Sequence, residues 1–171
     1  MAQIFPYTLI ANPAATFTRP ADITAYTAGD LVANSTSAGS VVPLSWTVFP
    51  SRDGGGWVKA VRLRIDKSDV ANAQFRVHLY SAIPTFTSAG DNSAFSTVVA
   101  TGYTAWLASF DVTMVMKDAA GAAGNALPGS GMAFPLALTR GTTVYGLIEA
   151  LAGYTPKSAS VFTAELLVEG N

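Results

Sequence analysis

From Val61 onward the apolar residues fall at every second position, Val61, Leu63 and Ile65, with the charged Arg62, Arg64 and Asp66 between them. Side chains alternate faces along a strand, so this spacing predicts a strand with one dry and one wet face. A polar link over residues 67–72 leads to a second run, in which Phe75, Val77 and Leu79 alternate with Gln74, Arg76, His78 and Tyr80. The two runs read as neighbouring half-buried strands, with Arg62, Arg64 and Arg76 on a shared exposed face paired to Asp66 or Asp69. The run Gly54, Gly55, Gly56 ahead of them reads as a turn, because it lacks the Lys-Ser/Thr ending of a phosphate loop and leads into a strand.

The two-residue period returns further along. Residues 41–49 place Val42, Leu44, Trp46 and Val48 on one face, and Pro43, which cannot donate to a sheet ladder, puts that strand at an edge or delays its start. Phe110, Val112, Met114 and Met116 alternate with Asp111, Thr113 and Val115, and Val144, Gly146 and Ile148 face away from Tyr145, Leu147 and Glu149. The last run sets Phe162, Ala164, Leu166 and Val168 opposite Thr163, Glu165, Leu167 and Glu169. The spacing of these runs and their turns predicts an all-β, single-domain β-sandwich, jelly-roll-like, with about eight strands.

Some stretches fall outside the period. Residues 1–20 predict an extended N-terminal arm, punctuated by Pro6, Pro13 and Pro20, with residues 21–171 forming the sandwich and 16–18 a possible short strand. Ile4, Phe5, Tyr7, Leu9 and Ile10 have no periodic home in a sandwich. Apolar residues on an arm need a cover, so these five are the candidate partner contacts, reached by β-addition to a neighbour; the alternative is an arm folded along its own sheet. Residues 95–103 are ambiguous around Val98 and Val99, and residues 117–131 read as a flexible Ala/Gly loop, too rich in glycine for a helix.

Composition narrows the function classes. At 171 residues the chain is one domain, and a domain of this size buries roughly 70% of its extended-chain surface, so it needs no staples. Without cysteine it has no disulfide, thiolate metal site or cysteine nucleophile. Charged residues are 12% of the chain, well below the usual share, which leaves a neutral skin suited to lying against other protein. A net charge of −1 with no basic stripe argues against nucleic acid, and no apolar run approaches the ~20 residues that span a membrane. The first residues lack the charged start and long apolar core of a signal peptide, so synthesis in a cytoplasm is expected.

Candidate chemistry is sparse. His78 is the one histidine, so a metal site of several histidines is excluded, and a surface or satisfied structural role is expected. Asp22, Asp30, Asp66, Asp69 and Asp91 read as turn and cap carboxylates, because none follows calcium-loop spacing. Asn34-Ser35-Thr36 matches a glycosylation acceptor only by coincidence. Trp46, Trp57 and Trp106 read as core more than as a sugar platform.

Two stretches carry a resemblance. Residues 17–33 read Phe-Thr-Arg-Pro-Ala-Asp-Ile-Thr-Ala-Tyr-Thr-Ala-Gly-Asp-Leu-Val-Ala. Residues 77–85 read Val-His-Leu-Tyr-Ser-Ala-Ile-Pro-Thr, followed at 90–95 by Gly-Asp-Asn-Ser-Ala-Phe. Together they resemble a family of small structural proteins encoded by tailed bacteriophages and prophages. The resemblance implies a virion component made in the bacterial host cytoplasm, best placed as a capsid decoration (cement) protein on the capsid surface. Its implied partners are the major capsid protein and further copies of itself, a trimer being favoured because decoration often sits at three-fold positions. It implies no enzyme activity, no catalytic residue and no cofactor or metal. The alternative is a tail or baseplate component that binds carbohydrate through exposed Trp or Tyr.

Overall fold

The computed structural model describes residues 9–48, 56–68, 72–85, 90–95, 104–126, 134–136 and 143–170. Their strands are β1 (Leu9–Ala11), β2 (Ala14–Thr18), β3 (Asp30–Val32), β4 (Leu44–Thr47), β5 (Gly56–Ile65), β6 (Gln74–Tyr80), β7 (Trp106–Thr113), β8 (Met116–Lys117), β9 (Ala122–Ala126), β10 (Phe134–Leu136), β11 (Thr143–Ala150) and β12 (Val161–Gly170). A seven-stranded sheet runs β1-β12-β5-β9-β8, with β2 beside β12 and β10 beside β5. A five-stranded sheet runs β3-β11-β6-β7, with β4 beside β11, and every pairing is antiparallel. The chain is an all-β, single-domain sandwich.

The predicted alternation builds the space between the sheets. Val61, Leu63, Ile65, Phe162, Ala164, Leu166 and Val168 line one sheet, and Phe75, Val77, Leu79, Phe110, Val112, Val144 and Ile148 the other, in one continuous buried cluster. Phe75 meets Phe162 edge-on across the core at 5.6 Å between ring centroids. Trp46 is buried, and its indole Nε1 donates to the Ala164 carbonyl at 3.0 Å, tying β4 to β12 in the opposite sheet.

Several expectations need correction. β5 and β6 are not neighbours in one sheet: β5 pairs with β12, β9 and β10, and β6 with β11 and β7. Alternation reports only that each strand has one dry face, and facing strands of a sandwich satisfy it as well as a hairpin does. The basic residues divide accordingly. Arg62 and Arg64 pair with Glu165 on β12, whereas Arg76 pairs with Asp111 on β7 at 2.6 Å. Asp66 accepts from the Val161 amide at 2.8 Å and lies 3.5 Å from Lys67, and Asp69 lies outside the described residues. Val42 is exposed because β4 begins only after Pro43, and Met116 is exposed because the chain leaves the core at Met114.

The 117–131 stretch is not all loop. β9 occupies 122–126 and pairs with β5, while residues 127–131 lie outside the described residues. A Cβ at Gly124 would overlap the Thr113 carbonyl, so small residues here let β9 pass close to the end of β7. At the N-terminus, β1 and β2 both pair with β12, so the described part of residues 1–20 belongs to the seven-stranded sheet. Val98 and Val99 lie outside the described residues.

Candidate functional site

The two stretches that carry the resemblance fold against each other. Gly29 adopts a φ of 90°, which turns the chain into β3, and the Asp30 carboxylate accepts from the Thr27 amide at 2.6 Å on the way. Residues 90–95 then lie along β3: Asn92 donates to the Leu31 carbonyl at 2.8 Å, Leu31 to Ser93 at 2.8 Å, and Phe95 to Gly29 at 2.7 Å. A Cβ at Gly90 would overlap the Thr36 carbonyl, so this approach requires glycine. Asn92 takes a φ of 61°, a conformation Asn tolerates better than most residues.

This docking places Asp91 inside. Its Oδ1 accepts from the Tyr26 hydroxyl at 2.6 Å and the Ala33 amide at 2.7 Å, and its Oδ2 accepts from Arg19 Nη2 at 2.7 Å. Arg19 also donates Nε to the Tyr26 hydroxyl, Nη1 to the Lys157 carbonyl at 3.5 Å and Nη2 to Asp22 at 3.3 Å. Its guanidinium lies over the Tyr26 ring, 4.8 Å from the centroid. Burial works against the Arg19 charge, but the Asp91 hydrogen bond, the Tyr26 hydroxyl beside it and the Asp91 charge outweigh it and hold its pKa above the ordinary value. Burial, with Tyr154 and Asp91 beside it, pushes the Tyr26 hydroxyl up. Both Asp91 oxygens are committed to fixed donors, so the cluster locks three segments together and offers no free base. Sequence reasoning placed Asp91 in a turn; the signal for its role was that Arg19 and Asp91 each sit in a resembling stretch.

Phe95 leads to the outer face of the five-stranded sheet. Leu31, Ala33, Tyr80, Ala105 and Leu147 form a second buried cluster there, with Val41, Phe95 and Tyr145 packed against it. His78 stands at its border, 2.9 Å from Glu149 and stacked on Phe95 at 4.4 Å. Burial holds the imidazole below its ordinary value, with Glu149 opposing the shift. Burial, with Glu149, pushes the Tyr80 hydroxyl up to about 12. His78 is mostly buried and has two partners, Glu149 and the Phe95 ring.

The predicted contact residues separate. Ile4, Phe5 and Tyr7 lie outside the described residues, and Leu9 and Ile10 stand in β1 opposite Gly170 and Glu169 of the same chain. Among the tryptophans, Trp46 is core, Trp57 lies 5.8 Å from the Lys59 ammonium, and Trp106 is 45% exposed. Ile83, Val115 and Met116 are also exposed. An open groove of about 450 Å³ between Arg64, Asp118 and Thr163 is floored by the small residues of β9. Among the described residues no three His, Asp or Glu side chains gather as a metal site, and no helix is long and apolar enough to cross a membrane.

No family model matches the chain, and no curated protein matches it. Among solved structures it is similar to a chain of the cyanophage Pam1 capsid asymmetric unit, at 13% identity and a TM-score of 0.33, over 99% of this chain and 91% of that one. It is also similar to the BFDV capsid protein in its decameric form, at 8% identity and a TM-score of 0.40, over 96% and 100%. A third likeness is to desmodium yellow mottle tymovirus, at 12% identity and a TM-score of 0.30, over 99% and 85%.

Proposed function

We propose that the chain is a non-enzymatic structural protein of a bacteriophage particle, a capsid decoration (cement) protein that binds and stabilises the shell of the major capsid protein. One observation carries the reading. The two resembling stretches form a single unit, in which Arg19 and Tyr26 from the first converge on Asp91 from the second. A resemblance split over distant segments that meet at one buried network lies in the element that locks the fold, not in two unrelated loops. The low charge of the chain also supports it, since a neutral surface loses little hydration when it is covered. The work of such a protein is binding energy: many copies clamp neighbouring subunits and resist internal pressure. Self-association, with a trimer favoured and the segment around Ile4, Phe5, Tyr7, Leu9 and Ile10 contributing, is part of the proposal.

Quantitative mass spectrometry of purified virions tests it. A copy number comparable to that of the major capsid protein is the expected result. A small fixed number per particle assigns the chain to the tail, and absence from the particle overturns the reading.

A further inference from the structure

The end of the sandwich where β5 stops and β12 starts carries the groove on its outer face. Arg64 of β5 stands there opposite Thr163 of β12 on one side and Ala123 of β9 on the other. Met116 of β8 continues the row beyond Ala123. Four strands spaced about 4.8 Å apart make this row roughly 14 Å long. Two turns wall it. Asp66 follows β5 and accepts from the Val161 amide at 2.8 Å, and Asp118 follows β8 and accepts from the Ala120 and Gly121 amides at 2.7 and 3.0 Å. A Cβ at Gly121 would overlap the Ile65 carbonyl, so the second turn is pressed onto the end of β5. The resulting space, about 450 Å³, falls within the roughly 300–1,000 Å³ of small-molecule sites.

The groups around this space select a ligand class. The amides bind Oδ1 of each aspartate, so the backbone fixes both carboxylates while each keeps Oδ2 as an acceptor. The Lys67 ammonium, 3.5 Å from Asp66 Oδ2, is an exposed partner that a ligand displaces at little cost. Arg64 is half-exposed and gives one nitrogen to Glu165, which leaves further N–H donors, and Thr163 adds a hydroxyl. Val161, Ala123 and the exposed Met116 supply apolar surface beside these groups. Arg64 cancels Glu165 and Lys67 cancels Asp66, which leaves the Asp118 charge, so the groove does not favour phosphate or other anions. An aromatic protein anchor fits a desolvated apolar pocket, whereas hydrogen-bonding groups surround this floor.

We propose that the groove binds a chain of neutral hexoses. Each sugar hydroxyl both donates and accepts, which suits carboxylates fixed beside a guanidinium and a hydroxyl. The C–H faces of the rings lie on Ala123 and Met116. An open groove admits the interior of a chain as well as its end. The site uses none of the tryptophans and goes beyond the structural role proposed above.

Nuclear magnetic resonance of the isotope-labelled full-length protein tests this. The probes are the neutral hexasaccharides of glucose in α and β linkage, of mannose, of galactose and of N-acetylglucosamine, added singly. At least one should shift the Gly121, Ala123 and Thr163 amides and the Arg64 Nε–H at millimolar concentration or below. Ala123→Leu, at a half-exposed position, fills the floor and should abolish the shifts. Asp118→Asn keeps an oxygen for the turn amides and should weaken binding about tenfold, through loss of a charge-assisted hydrogen bond. No response to any probe, shifts confined to residues outside the groove, or unchanged affinity in both variants would overturn the proposal. A tighter response to the tripeptide Gly-Arg-Gly than to every sugar would make the groove a protein contact and overturn it too. These readouts use free protein, so they succeed or fail independently of the copy number in virions.

Discussion

Arg19 donates to Asp91 at 2.7 Å with both side chains fully withdrawn from solvent, across 72 positions of sequence. A buried pair of this kind costs most when only one partner is removed, because the other charge is left without compensation. Arg19→Met should therefore lose about 3–5 kcal/mol of unfolding free energy. Asp91→Asn keeps an oxygen for Tyr26 and Ala33 and should lose less. The double variant should cost less than the sum by more than about 1 kcal/mol, as coupled neighbours do. Denaturant unfolding of the four proteins measures this, and additivity would mean that the pair does not hold the two segments together.

The core makes a plainer prediction. Leu63 is fully buried, whereas Arg62 beside it is exposed and pairs with Glu165 at the surface. Leu63→Ala should cost about 2–5 kcal/mol, and Arg62→Ala within about 0.5 kcal/mol of zero. Equal losses at the two positions would mean that the face assignment is wrong.

This face assignment was legible in the sequence because a half-buried strand writes its burial at every second residue. Val61, Leu63, Ile65, Phe75, Val77 and Leu79 are all buried as their spacing implied. Which strand faces which was not legible, since hairpin and facing strands produce the same alternation at β5 and β6. β9 was hidden for a different reason: its Ala and Gly content serves a close backbone approach, and that composition also marks a loop. Asp91 was hidden because its donors come from residues 19, 26 and 33, which only the fold brings near.

Gly146 and Trp46 test the packing between β11 and β4. A Cβ at Gly146 would stand 2.5 Å from the Cη2 and Cζ3 atoms of the buried indole. The ring is held by its bond to Ala164, so it cannot swing away without losing that partner. Gly146→Ala should cost about 1–3 kcal/mol as an overpacked core site. Adding Trp46→Phe should recover part of that loss. Near-wild-type stability of Gly146→Ala would mean that the indole has room to move.

The last prediction concerns acid. His78 lies between Glu149 on β11 and Phe95, with Arg76 and Tyr80 on its own strand and Asp111 on β7. Burial disfavours its charged form, Arg76 adds to that, and Glu149 and Asp111 oppose it; the net effect lowers the pKa below the ordinary 6.5. The unfolded chain therefore binds the proton more tightly than the folded one. Stability from this group is fully present above pH 6.5, and it falls as the pH drops through 6.5 toward the folded value. Phe95 belongs to the segment that carries Asp91, so the cost should appear first as faster amide exchange along residues 90–95. His78→Gln keeps a donor for Glu149 but does not titrate, and it should flatten the pH dependence below pH 6.5. An unchanged pH profile in that variant, or a histidine resonance titrating above 6.5 in the folded protein, would show that His78 does not weaken this contact in acid.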